Sequence, residues 1–124
     1  MMGDMDALDF VTHALFALHM FGLAAIIGGF FVQLRRKTDF VLWPLLAGAI
    51  TQVVTGLALV GMRQAAGRDI DFTWVGVKFA IALVVLVAAI AAVIVKRRGG
   101  RVQPWFHAAG GLAVVNVLVA TLWP

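Results

Sequence analysis

Three histidines, one lysine set apart from the charged loops, and a few amides and hydroxyls are the groups in this 124-residue chain placed to do chemistry. They are His13, His19, Gln33, Thr51, Gln52, Thr55, Lys78, His107, Asn116 and Thr121. A neutral imidazole offers one lone pair to a proton or a metal, and a deprotonated amine does the same. Cysteine and glutamate are absent. That removes disulfides, thiolate clusters, Cys-ligated zinc and the carboxylate-rich di-metal site of helix bundles. A cofactor here must rely mainly on histidine, with lysine or methionine as help. Copper is one candidate, since imidazole and thioether suit it. However, Met1, Met2 and Met5 are terminal, and no tight Met/His spacing occurs.

The elements that must position these groups are apolar. Hydrophobic residues make up 63% of the chain and charged residues 13%, against roughly 45–50% and 25% in a soluble domain. Too few polar residues remain to clothe a soluble core of this size, which excludes a water-soluble enzyme, a disordered tail and a secreted scaffold. The apolar residues fall into four runs: Leu8 to Leu34, Phe40 to Met62, Phe72 to Val95, and Trp105 to Trp123 with Pro104 opening the last. Each run is long enough to cross a hydrocarbon core of ~30 Å as a helix. None alternates as a barrel strand does, and four strands close no barrel. Short loops between them predict an up-down antiparallel four-helix transmembrane bundle in a single domain spanning 1–124.

The net charge of +4 would suit nucleic acid in a soluble chain, but the basic residues cluster between apolar runs, so the charge reads as topology. Arg35, Arg36, Lys37, Lys96, Arg97, Arg98 and Arg101 occupy the first and third loops with one acid, Asp39. Arg63 and Arg68 share the other side with Asp4, Asp6, Asp9, Asp69 and Asp71. The expectation is a multi-pass inner (plasma) membrane protein with basic loops in the cytoplasm, both termini facing the periplasm or exterior, and no nucleic-acid partner. The acidic N-terminus lacks the basic region of a signal peptide, so the first span is expected to be retained.

Local signals mark the helix ends. Thr38 or Asp39 is expected to cap the second helix and Asp71 the third, with Gly99-Gly100 ending the third. Trp43, Trp74, Trp105 and Trp123 fall near the interfaces. At ~1.5 Å per residue, His19 lies near the midplane, about 15 Å below the outer interface, with Thr51 and Gln52 at a similar level. His13, Thr55, Lys78 and Asn116 lie roughly 6–10 Å from the outer surface on the same scale.

Thr12, Leu15, His19, Gly22, Ile26 and Gly29 share one stripe of the first helix, and Gly48, Gln52, Thr55, Gly56 and Leu59 one stripe of the second. Trp74, Lys78, Ala82, Val85, Ala89 and Ala92 line a face of the third. In the fourth, His107, Gly111, Val114 and Leu118 face one way, and Asn116, Ala109, Ala113 and Ala120 the other. Three stripes therefore meet around His19, Gln52 and Lys78. His107 sits near the cytoplasmic end, roughly 7 Å from the level of His19, and becomes a second axial ligand only if its helix is shifted or tilted. The plainer alternatives are a hydrogen-bonded buried His19, a Lys78 that snorkels outward, and amides and threonines that join helices.

His19-Met20-Phe21-Gly22 followed by Gly28-Gly29 reads H-x-x-G-x-x-x-x-x-G-G, and Trp74 to Lys78 reads W-x-x-x-K. With the four-span layout, these motifs resemble the CopD-like copper-resistance membrane domains and the HemJ-type protoporphyrinogen oxidases. Ile26 stands where that group usually carries tryptophan. The resemblance implies that His19 and Lys78 occupy key positions and that the first-helix histidine is associated with b-type haem. It also implies that electrons pass to a quinone or another membrane acceptor. A non-enzymatic accessory or assembly subunit of a larger membrane complex is the alternative. A proton or small-solute carrier using His19 and Lys78 is a third.

Overall fold

The computed structural model describes residues 7–123. Asp4 and Asp6 on the acidic N-terminus, and Met1, Met2 and Met5 as copper ligands, lie outside the described residues. Four helices form: α1 (Ala7–Val32), α2 (Trp43–Ala65), α3 (Phe72–Arg97) and α4 (Gln103–Leu122). All four are long and apolar enough to cross a membrane, and no strand occurs among the described residues. The hairpins α1–α2 and α3–α4 have the most extensive contacts, α2–α3 follows, and α1–α4 is the thinnest seam. Much of the apolar surface faces outward, with Phe21 72% and Val32 80% exposed, as lipid-facing side chains must be.

Of the four helix ends that the sequence marks, three follow local chemistry as expected. Asp71 caps α3 by accepting from the Thr73 and Trp74 amides at 3.1 Å each. Gly99, at φ +72°, closes α3, and the Gly100 amide returns to the Val95 carbonyl at 2.9 Å. This is the left-handed exit that glycine permits. Pro104 opens α4. The expected Thr38 or Asp39 cap on the second helix is not made. Phe40 to Leu42 lie outside the helix, Pro44 sits in its first turn, and Leu42 precedes it with no side-chain cap. Phe40 instead plugs the bundle against Phe106, 4.6 Å between ring centroids. Gln33, expected among the polar groups within lipid, holds this loop closed. Its amide donates to the carbonyls of Gly29 (3.1 Å) and Val41 (2.9 Å), and its oxygen accepts from the Val41 amide.

The core is lopsided. Its large side chains, Ile26, Phe30, Phe40, Leu45 and Phe106, gather toward the end bearing the basic loops, with Ala88, Ala89, Ala92, Ala109 and Ala113 between them. The alanines let α3 and α4 approach closely. The stripe of α4 that turns inward is the one carrying Ala109, Ala113 and Asn116. Toward the opposite end, where the described termini Ala7 and Trp123 lie, the helices bury few side chains.

Two close approaches depend on glycine. A Cβ on Gly48 would lie 2.6 Å from the Gly22 carbonyl oxygen, and one on Gly110 would overlap the Phe30 ring. Gly48→Ala is therefore expected to destabilise the protein by about 1–3 kcal/mol. Gly61→Ala in the same helix meets open space and is expected to be neutral or slightly stabilising. Unfolding midpoints in detergent micelles check the pair.

Candidate functional site

His19 is brought into the bundle by the close packing of α1 on α2. A Cβ on Gly22, one turn along, would lie 2.8 Å from Thr51 Cγ2 and 2.9 Å from Gln52 Nε2. Only a side-chain-free position lets α2 come so near. The imidazole is 6% exposed, and its Nδ1 lies 2.6 Å from Thr55 Oγ1. The Thr55 hydroxyl in turn lies 2.5 Å from the Thr51 carbonyl oxygen.

This chain has one consistent proton assignment. A hydroxyl has a single proton, and a carbonyl oxygen can only accept. The Thr55 proton therefore goes to Thr51 O, and Thr55 Oγ1 accepts from Nδ1–H of His19. In the neutral ring the tautomer so assigned leaves the lone pair on Nε2, which makes no hydrogen bond among the described residues. Beside the ring, a Cβ on Gly56 would stand 3.8 Å from His19 Cε1, an ordinary contact distance. Gln52 acts on the backbone: its amide donates to the His19 carbonyl and ties α1 to α2 at this level.

Lys78 approaches without joining. Its Nζ sits 5.0 Å from the centroid of the Trp74 ring, a cation–π arrangement. Trp74 itself is fixed to α4 by Nε1 donating to the Val119 carbonyl at 3.3 Å. No salt bridge to Lys78 occurs among the described residues. Asn116, about as deep in α4 as Lys78 is in α3, has its Oδ1 buried without a partner among the described residues.

The structure thus brings His19 and Gln52 together and sets Lys78 on their terminal side. His107 is elsewhere. It packs edge-on against Phe30 (5.9 Å, 84°) and Phe106 (5.8 Å, 83°). Phe30 lies about three helical turns from His19 toward the basic end. His107 Nε2 is buried there and has no partner among the described residues. His13 is exposed. Thr51 and Thr121 bond carbonyls of their own helices, at 2.8 Å each, rather than reaching across. No group of three or more His, Asp or Glu side chains able to hold a metal ion occurs among the described residues.

Thr55 is the partner that sequence reasoning put at the wrong depth. The second span was expected to end at Met62, whereas α2 continues to Ala65. That extension moves Thr55 inward by about 4–5 Å, to the level of His19. The available signal was its place on the Gly48–Gln52–Thr55 stripe. No family model matches this chain, and no curated protein or solved structure matches it significantly.

Thr55→Val keeps the shape and removes the acceptor, stranding a buried N–H. It is expected to cost about 1–3 kcal/mol, and Thr55→Ser to recover most of that. In ¹⁵N spectra of histidine-labelled protein, His19 is expected as the Nδ1–H tautomer in the wild type and Thr55→Ser. That preference should disappear in Thr55→Val.

Proposed function

We propose that this chain is a small multi-pass protein of the inner (plasma) membrane that binds b-type haem through His19 and takes part in membrane redox or haem metabolism. Its basic loops face the cytoplasm and its termini the periplasm. The observation that carries the reading is the free Nε2 lone pair of an imidazole whose Nδ1–H is held by Thr55. Histidines that ligate metals are commonly anchored in this way, with the second nitrogen donating to a fixed acceptor that sets tautomer and ring orientation. The motif likeness around His19 and Lys78 supports it, and the donor set fits a group needing one protein nitrogen. Bound haem would supply one-electron chemistry, passed to a quinone or another membrane acceptor.

The residues have separate tasks in this reading. His19 supplies the nitrogen, and Thr55 and Thr51 fix its tautomer and orientation. Gln52 fixes the backbone from which it projects. Lys78 supplies positive charge on the terminal side, where an anionic group of a bound molecule would be met. His107, among the phenylalanines, takes no part in ligation.

The α1–α4 seam favours a second reading. Met20, Leu23, Ala24, Ile27, Phe31, Val114 and Val117 line an apolar groove of about 430 Å³ there. Such a groove suits a helix of another subunit, and the chain would then be an accessory or assembly component of a larger membrane complex.

An absorption spectrum of protein purified from haem-replete cells separates the two. The first reading expects a Soret band that is lost in His19→Ala and kept in His107→Ala. Colourless wild-type protein would sink it. Constant co-purification of other subunits in mild detergent would then establish the second.

A further inference from the structure

We infer that the end of the bundle bearing the first and third loops is a collar that binds the phosphodiester headgroups of anionic phospholipids. Arg35, Arg36, Lys37, Lys96, Arg97, Arg98 and Arg101 are all exposed there, beside one acid, Asp39. They are joined into one surface, because the Lys96 ammonium donates to the carbonyl of Phe40 in the other basic loop. Arg36 likewise donates to a backbone oxygen, that of Asp39, at 2.9 Å. No salt bridge satisfies any of the seven among the described residues. Such a concentration of like charge repels itself unless anions from outside the chain neutralise it.

Two features choose the anion. The N-terminal turns of α2 and α4 open at this same end, and neither has a side-chain cap, so their amides point toward the headgroup layer. Trp43 (72% exposed) and Trp105 (42%) stand in those turns. Exposed tryptophans settle where hydrocarbon meets headgroups. The cations just beyond them therefore lie at the level of lipid phosphates, which favours a membrane-borne phosphate over one free in solution. This inference does not depend on haem binding.

Native mass spectrometry of the purified protein tests it, with phosphatidylglycerol, phosphatidylcholine and inorganic phosphate as separate probes. Phosphatidylglycerol is expected to be retained in preference to phosphatidylcholine. Arg98→Gln and Arg101→Gln are each expected to lower that retention about five-fold, leaving the other basic residues to set orientation. Arg68→Gln, at the opposite end, should not change it. Equal retention of both lipids, indifference to the Arg98 and Arg101 variants, or displacement by millimolar inorganic phosphate would overturn the inference.

Discussion

The hydrocarbon core of a bilayer contains no hydrogen-bond partner, so each backbone and side-chain polar group placed there must find one within the protein. The four helices answer this for the backbone. Among side chains, Gln33 answers it by closing the first loop, Gln52 by reaching the His19 carbonyl, and Thr55 by linking His19 to the Thr51 carbonyl. The same constraint makes the remaining open valences conspicuous. In the neutral tautomer held by Thr55, His19 Nε2 has a lone pair to offer. His107 Nε2 and Asn116 Oδ1 are buried and have no partner among the described residues. In water these would be unremarkable, whereas in lipid each is a place where a ligand, a water or a neighbouring chain has something to gain by binding.

Packing and polarity are divided between the two ends of the molecule. Toward the basic loops, interlocked aromatic rings and alanine contacts fix the helices, with Phe40 driven in from a non-helical segment to complete the stack. Toward the terminal end, small and polar residues replace large apolar ones, and Lys78, Asn116 and the His19–Thr55 pair face the interior. A rigid half thereby positions a more loosely filled half, which is the usual relation between a scaffold and the site it carries.

The spans, their number and three of the four marked helix ends were legible because each rests on a local rule: apolar run length, an Asp cap, a glycine exit and a proline start. The second helix start was not. It depends on Phe40 finding a cavity made by Phe106, a contact between residues distant in sequence. The site was partly legible by the same logic. Helical periodicity put His19 and Gln52 on inward stripes, but it only separated the His107 face of the fourth helix from the Ala109 and Ala113 face without choosing between them. The pairing with Thr55 was missed because depth was counted from an expected helix end, and a short error there displaces every residue on the span. The role of Gln33 was hidden because its partners are backbone atoms of a loop whose path no periodicity describes.

The distribution of helix contacts bears on how the protein is made. Each helix packs most fully against its neighbour in sequence within a hairpin, and the two hairpins meet through lesser surfaces. Contacts close in sequence form early and lose little chain entropy. The first hairpin holds the glycine-mediated approach and the His19–Thr55 bond within itself. It can assemble during synthesis, before the third span leaves the ribosome. The second hairpin then docks onto a partner already carrying the imidazole in its final orientation.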